Sequence, residues 1–305
     1  MNRALEALRS LLGKRLVIGV PYFWLLLFFT IPFLIVFKIS FSWMQPIQPG
    51  YAPLFSWVEE TQRFVATLNL SNYEVLFRDP LYLGTFLYSI KVAAISTFFC
   101  LLLGYPMAYA IARCPPTTRN LFLMLIILPF WTSFLLRVYA WIGLLKTNGV
   151  INNTLLALGV IDEPLTLLYT DFAVYIGIVY SYLPFMILPL FSNLEKHDLT
   201  LLEAAADLGA SPAKAFFRVT LPLSMPGIVA GCLLVFIPAV GEYVIPSLLG
   251  RTDQLMIGTV LSAQFFGARN WPVASAVAIV LLIMLLLPIL LFQRYQQREL
   301  DAAKR

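Results

Sequence analysis

The chain has 305 residues, of which 60% are hydrophobic and 12% are charged, and its mean hydropathy is +0.83. A soluble domain carries about a quarter charged residues, so this composition indicates a protein of the lipid bilayer rather than a pair of soluble domains. The net charge of +5 does not indicate a nucleic-acid partner, because the basic residues are scattered between apolar runs and form no single basic face.

The first predicted element is a transmembrane helix over 16–38, which follows a basic N-terminal segment. The apolar run is too long for the core of a signal peptide, and no cleavage site of small residues follows it. A helix needs about 20 mostly apolar residues to cross about 30 Å of hydrocarbon. Six stretches meet that requirement, within a single transmembrane domain covering 1–305: 16–38, 88–111, 121–145, 172–194, 224–248 and 272–292.

Lysine and arginine residues give the orientation of these spans, because cytoplasmic segments carry an excess of them. The segments on one side of the predicted membrane hold 13 of the 21 basic residues, and those on the other side hold 6. Lys91 and Arg137 lie inside spans, near the second side. Both termini and the segment 195–223 are therefore predicted to be cytoplasmic.

The first outer segment, 39–87, is rich in aromatic residues and is predicted to fold against the membrane surface. Ser71 and Glu74 have the spacing of a capping box, which predicts a short helix beginning at Ser71. Asp79-Pro80 is predicted to end that helix before the second span.

The cytoplasmic segment contains a polar stretch, 203–222, that reads EAAADLGASPAKAFFRVTLP. Its apolar residues have helical spacing as far as Leu208. Gly209 can adopt the left-handed conformation that ends a helix, and Ser211-Pro212 can begin a second one. The stretch therefore predicts a helix-turn-helix at the inner face of the membrane.

The same stretch carries a motif with fixed spacing. Glu203-Ala204-Ala205, Gly209 and Leu221-Pro222 match the pattern EAA-x3-G-x9-I-x-LP, with Val219 in place of the usual isoleucine. The stretch therefore resembles the EAA loop of ABC-importer permeases. Most of the chain is similar to the permease subunits of polyamine importers, most of all to the putrescine-type members, in RVYAWIGLLKTNGVINN (137–153), PAVGEYVIPSLLG (238–250) and WPVASAVAIV (271–280).

The resemblance implies an all-α protein of the bacterial inner membrane with the type I ABC-importer permease fold, six transmembrane helices and cytoplasmic termini. It also implies that the coupling segment (195–223) docks on a separate ATPase. The partners implied are a second homologous permease, two ATPase subunits and a periplasmic or extracellular polyamine-binding protein. The residues implied to make the coupling contacts are Glu203, Ala204, Ala205, Gly209, Leu221 and Pro222. No G-x-x-x-x-G-K-[ST] phosphate loop is present in the sequence, so ATP and Mg²⁺ are expected on the partner ATPase, and no cofactor on this chain.

Polyamines are flexible multiple cations, and moving one through a low-dielectric region requires carboxylates, carbonyls and aromatic faces in place of water. Glu242 is the one acid well inside an apolar run, about 24 Å along its span from Pro226 at the rise of an α-helix. We therefore predict that Glu242 and the adjacent Tyr243 lie on the substrate pathway. The alternative is a structural ion pair of Glu242 with Arg137 or Lys91.

Aromatic residues in the spans are further candidates, through cation–π contacts with the substrate. From the set Trp131, Tyr139, Trp141, Tyr175, Tyr180 and Tyr182, we select Tyr139, Trp141 and Tyr182 as pathway residues. Asp171 is predicted to be the N-cap of the fourth span rather than a ligand.

Three other functions stay open at this point. A membrane enzyme would require a nucleophile–base set or a metal site, and the sequence contains neither G-x-S-x-G nor H-E-x-x-H; no catalytic or metal residue is predicted. An autonomous secondary carrier or channel typically has internal repeats and several buried ionisable residues, whereas only Glu242 is central here. A permease for another small cation or organic substrate stays open, as does either putrescine or spermidine as substrate.

Overall fold

A computed structural model of the chain describes residues 16–47, 49–58 and 63–303. The described residues fall into two compact units, one within Met1–Asp79 and Ala263–Leu282, the other within Pro80–Ser262 and Ile283–Arg305. Within the described residues, five helical stretches are long and apolar enough to cross a membrane: Leu16–Ser40, Pro80–Arg113, Phe134–Ala157, Asp171–Leu194 and Trp271–Leu290. The helices Pro212–Leu223 and Met225–Val240, which meet at a bend of 63°, provide a sixth crossing if they are counted as one span.

The first unit begins with α1, Leu16–Ser40, which contains a π-helical turn at Leu26–Thr30. Two short strands follow, β1 (Phe55–Val58) and β2 (Arg63–Ala66), and they pair antiparallel with Phe55 opposite Ala66. Their sequences, FSWV and RFVA, are rich in aromatic and β-branched residues, which suit a pleated strand. This hairpin is an addition to the all-helical architecture predicted from the sequence.

Helix α2, Ser71–Arg78, begins and ends where the sequence predicted, but the predicted capping box is wrong. Oδ1 of Asn69 accepts hydrogen bonds from the backbone N–H of Ser71, at 2.9 Å, and from its hydroxyl, at 2.6 Å. The amide of Asn72 donates to the carbonyl oxygens of Ser40 and Ser42, both at 2.9 Å. Asparagine side chains thus start α2 and tie it to the end of α1.

The second unit is built around α3 (Pro80–Arg113), α7 (Asp171–Leu194) and α10 (Met225–Val240). Between α3 and α7 lie α4 (Pro116–Ile127), a 3-10 turn (Leu128–Trp131), α5 (Phe134–Leu145) and α6 (Val150–Ala157). After α7 come α8 (Thr200–Asp207), α9 (Pro212–Leu223), α11 (Val244–Leu249) and α12 (Ile257–Ser262). The chain then returns to the first unit with a π-helical turn at Ala263–Gly267 and the start of α13, Trp271–Ala303, whose residues from Ile283 onward belong to the second unit.

The core of the second unit lies where α3, α7 and α10 approach most closely. Met186 of α7 is fully buried there, between a glycine of α3 and a glycine of α10. A Cβ atom on Gly104 would lie 2.9 Å from Cγ of Met186, and one on Gly231 would lie 2.7 Å from its Sδ and 3.1 Å from its carbonyl oxygen. Small residues let membrane helices pack backbone to backbone, because they remove the side chains that would hold the helices apart.

We expect Gly231→Val to destabilise this core by about 1–3 kcal/mol, the usual cost of overpacking. Its matched control is Gly143→Ala on α5, where an added Cβ meets nothing within 4 Å. Thermal unfolding of the detergent-purified proteins measures both changes. An unchanged melting temperature for Gly231→Val would show that α7 and α10 do not pack as described.

Two stretches predicted as single spans are not continuous helices. The stretch 121–145 is interrupted by the 3-10 turn at Leu128–Trp131, and Thr132 is extended, with φ −94° and ψ 153°. The stretch 224–248 is interrupted after Val240, so Glu242 does not lie within a continuous helix. Proline explains part of the first break, because Pro129 lacks a backbone N–H for the helical ladder, whereas Pro238 lies inside α10 and the helix continues past it to Val240.

Candidate functional site

The break between α10 and α11 fixes the position of Glu242. Its side chain is buried, with 7% of the residue exposed. Oε1 accepts hydrogen bonds from three backbone N–H groups at the start of α11: Tyr243 at 3.1 Å, Val244 at 2.9 Å and Ile245 at 3.4 Å. The first N–H groups of a helix have no partner within the helix. Oε1 therefore caps α11, and the three N–H groups satisfy it as a hydrogen-bond acceptor.

The other carboxylate oxygen of Glu242 is bound from a different helix. The hydroxyl of Tyr182, on α7, donates to Oε2 at 2.5 Å. A carboxylate oxygen can accept about two hydrogen bonds. Oε2 therefore keeps one acceptor position after binding Tyr182.

Glu242 and Tyr182 line a cavity of about 410 Å³. Its lining residues come from the turn before α5, from α5 and α7, and from the break after α10. They are Phe130, Phe134, Arg137, Ser181, Tyr182, Phe185, Pro238, Gly241, Glu242, Tyr243 and Val244. One carboxylate surrounded by aromatic rings is the combination that recognises organic ammonium groups, since the ring faces attract the cation and the carboxylate balances its charge.

The cavity brings together three of the five pathway residues predicted from the sequence, namely Glu242, Tyr182 and Tyr243. Tyr139 and Trp141 are not among the residues that line it. Trp141 packs edge-on against Tyr180 with ring centroids 5.5 Å apart, and Tyr139 is 56% exposed. Both residues lie on α5, on sides of the helix that do not face the cavity.

Sequence reasoning missed three phenylalanines of the lining. Phe130, Phe134 and Phe185 lie in the cavity wall, and the Phe130 and Phe185 rings meet edge-on at 5.2 Å. Phenylalanine in an apolar span gives no functional signal of its own. The usable signal was Pro129, because the break at that position carries Phe130 out of the helical line and towards α7.

The ionisable residues in and beside the spans do not make the structural contacts that the sequence suggested for them. Among the described residues, no ion pair joins Glu242 to a basic side chain. Lys91 lines a different cavity, together with Asp253. The prediction that Asp171 caps its helix is wrong, because the hydroxyl of Thr170 accepts the N–H of Ala173 at 3.3 Å, whereas Asp171 accepts the hydroxyl of Tyr88 at 2.9 Å.

The coupling segment forms the predicted helix-turn-helix. Helix α8 ends in a turn at Gly209, whose φ is +78°. The N–H of Gly209 donates to the carbonyl of Ala206 at 2.8 Å, and the N–H of Ala210 donates to the carbonyl of Ala205 at 3.0 Å. This pair of bonds is the Schellman arrangement, which requires the left-handed conformation at its central residue. Gly209 is therefore a conformational requirement of the turn.

The start of the coupling segment is also fixed by hydrogen bonds. Oδ1 of Asp198 accepts the backbone N–H of Thr200 at 3.0 Å, just before α8. Hydrogen bonds from the backbone and the side chain of Thr200 lower the pKa of Asp198. Asp198 is thus held in its ionised form beside the positive end of α8, which favours an anion.

Most motif residues of the coupling segment are accessible. Glu203, Ala204, Gly209 and Pro222 are exposed, whereas Ala205 and Leu221 are half-buried. Leu208, beside the turn, is 88% exposed.

The coupling segment is fastened to the transmembrane core at its second helix. The ring of Phe216 packs edge-on against Tyr105 and Tyr109 of α3, at centroid distances of 5.7 and 6.2 Å. The hydroxyls of Tyr105 and Ser224 are hydrogen-bonded at 2.9 Å, at the bend between α9 and α10. A displacement of the segment would therefore be passed directly to α3 and α10.

Two further contacts close the ends of the coupling segment. Arg119 of α4 forms an ion pair with Glu195 at 2.6 Å. The imidazole Nε2 of His197 lies 3.2 Å from the carbonyl oxygen of Leu223. The segment is thus a fixed projection held at both ends by the second unit, rather than a flexible connection.

Comparison with known proteins identifies the family. Residues 101–301 match the family described as binding-protein-dependent transport system inner membrane component. The chain is 41% identical over 282 residues to the spermidine/putrescine transport system permease protein PotB of Haemophilus influenzae, covering 92% of this chain and 93% of that protein. It is 43% identical over 272 residues to PotB of Escherichia coli, covering 89% and 93%.

Solved structures give the fold. A chain of a bacterial ABC transporter that imports alginate superposes with a TM-score of 0.66 at 18% identity, covering 98% of this chain and 99% of that one. A chain of the MetNI methionine ABC transporter superposes with a TM-score of 0.52 at 18% identity, covering 72% and 95%. These likenesses confirm the predicted type I ABC-importer permease fold.

Proposed function

Because this chain belongs to the family of binding-protein-dependent transport system inner membrane components, we propose that it forms half of the translocation pathway of an ATP-driven importer of polyamines. It is a multi-pass protein of the inner membrane. The names of its relatives give spermidine and putrescine together. We therefore propose a polyamine as the substrate class, without a preference between the two.

The observation that carries the proposal is the cavity around Glu242. A polyamine needs a negative charge and polarisable faces when it leaves water. The cavity supplies the Glu242 carboxylate, with one acceptor position left on Oε2, and the rings of Tyr182 and of the phenylalanines beside it. We assign Glu242, Tyr182 and Tyr243 to the pathway on this geometry.

Tyr139 and Trp141 lie outside the cavity around Glu242. They contact neither Glu242 nor its cavity in this chain. We propose that this chain works as one of two membrane subunits and that a second, homologous permease supplies the other half of the pathway. Tyr139, being exposed on α5, is available for contact with that second subunit.

The family implies a substrate-binding protein and a separate ATPase. We propose that two ATPase subunits serve the pair of permeases and that one of them receives the coupling segment. Glu203, Ala204, Ala205 and Gly209 would form the docking end, while Leu221 and Pro222 set the bend into α10. ATP and Mg²⁺ would bind to the ATPase. This chain would form the pathway and follow the motion of the ATPase through the coupling segment.

Uptake by the assembled complex tests the proposal. Proteoliposomes containing both permeases and the ATPase, with the binding protein outside, should accumulate labelled spermidine only when ATP is supplied inside. Unlabelled putrescine and spermidine should compete, whereas an unrelated monoamine should not. Uptake by this chain alone, driven by an ion gradient, would contradict the proposal and favour a secondary carrier.

A further inference from the structure

Arg137 lies in the same cavity as Glu242 without pairing with it. It projects from the first turn of α5, and its Nε is buried without a hydrogen-bond partner among the described residues. The centre of its guanidinium lies 5.4 Å from the ring of Phe130 and 5.6 Å from the ring of Phe134. Arg137 is half-buried, and its Nε has lost contact with water without gaining a hydrogen bond in return.

The guanidinium of Arg137 occupies the aromatic faces that an incoming ammonium group would bind. Cation–π attraction acts within about 6 Å of a ring centroid, and the guanidinium already occupies that range on two rings of the cavity. The cavity residues supply one carboxylate, and four donors already surround it. A second cation on the same rings would meet the charge of Arg137 with no second anion to balance it.

We infer that Arg137 is a resident cation of the pathway. Its guanidinium occupies the aromatic faces beside Glu242 when no substrate is bound, and it must move aside when a substrate ammonium binds. This inference rests on the proposed polyamine transport. The physical benefit is weak binding, since a pathway must hold its substrate loosely enough to release it in every cycle. Arg137 competes with the substrate and so lowers the affinity of the cavity.

Direct binding measures this competition. Purified complex in lipid nanodiscs is titrated with radiolabelled spermidine in the absence of ATP and of the binding protein, so that the cavity is the site observed. Arg137→Gln should bind spermidine about tenfold more tightly than wild type, equivalent to about 1.4 kcal/mol. Turnover of ATP-driven uptake at saturating substrate should fall, because the bound ammonium is no longer displaced.

Three variants separate this role from a structural one. Arg137→Lys keeps the charge and should bind like wild type. Arg137→Met keeps much of the length of the side chain without its charge, and it should bind spermidine as tightly as Arg137→Gln does. It takes the place of Arg137→Gln if the glutamine variant does not assemble. In the double variant Arg137→Gln, Glu242→Gln the gain should disappear, because the carboxylate that holds the ammonium is gone.

The outcomes distinguish the inference from the proposed function. If wild-type complex neither binds nor transports spermidine, polyamine transport is wrong and the role of Arg137 falls with it. If wild type transports spermidine but both neutral variants bind it no more tightly, only the role of Arg137 is overturned. Tighter binding by the neutral variants together with slower turnover supports both.

Discussion

Replacing Gly209 by valine should reduce polyamine uptake by about tenfold or more, the factor that corresponds to about 1.4 kcal/mol of lost docking free energy. The turn after α8 holds Gly209 at φ +78°. Left-handed backbone costs an ordinary L-residue about 1–2 kcal/mol, and a β-branched side chain is still less suited to it. An added Cβ meets nothing within 4 Å, so the variant changes the backbone of the turn without a clash against its surroundings.

The effect of Gly209→Val should stay local, because the strained turn lies at the accessible end of the coupling segment. We expect α8 to lose its orientation relative to α9 while Phe216 keeps α9 attached to Tyr105 and Tyr109. The protein should therefore reach the membrane at its normal level but recover less ATPase on co-purification. Immunoblots of membranes, co-purification and uptake measure the three effects separately.

Gly209→Asn is the matched control for this experiment. Asparagine is also larger than glycine, but it adopts left-handed backbone far more readily than valine. Its uptake should stay close to that of wild type. Normal uptake by Gly209→Val, or an equal loss in both variants, would show that the conformation of this turn is not what the ATPase requires.

The coupling segment was predictable from the sequence because every feature there is local. The spacing of apolar residues, Gly209 at the helix end and Ser211-Pro212 at the next start each act within a few residues, and the structure has all three. The contact of Phe216 with α3 was not predictable in the same way. It joins residues more than a hundred positions apart, and one sequence alone gives no sign of such a pair.

The cavity around Glu242 could be predicted from the sequence only in part. An acid inside an apolar run indicated a functional position, and that much followed from the cost of burying a carboxylate. The expectation of one helix through 224–248 then placed Glu242 inside a helix, whereas it lies in the break and caps α11. Prolines are common in membrane helices as kinks, so Pro238 alone did not distinguish a bend from an interruption.

Tyr182 was selected from the sequence only as one aromatic residue among six, and Tyr139 and Trp141 were selected with it on the same ground. The structure separates them, because only Tyr182 donates to Glu242. The direction in which a helix presents each ring depends on how α5 and α7 are rotated against their neighbours. That rotation is set by packing, which no local pattern in the chain encodes.

Glu242→Gln is expected to reduce the kcat/KM of uptake by about 10- to 100-fold while the fold is retained. Hydrogen bonds to a charged group contribute about 1.5–3 kcal/mol, and each 1.4 kcal/mol corresponds to about a factor of ten. The glutamine carbonyl can still accept the N–H groups of Tyr243, Val244 and Ile245. The cap of α11 therefore survives, and the change removes mainly the negative charge of the cavity.

Comparison with two other variants separates charge from structure. Glu242→Ala also removes the cap, and it should lower the melting temperature of the purified protein as well as uptake, because it leaves N–H groups of α11 unpaired. Tyr182→Phe keeps the ring and the carboxylate but removes the hydroxyl that binds Oε2, so its uptake should fall less than that of Glu242→Gln. If Glu242→Gln keeps full uptake and full substrate affinity, Glu242 is only the cap of α11, since the glutamine preserves that role and nothing else.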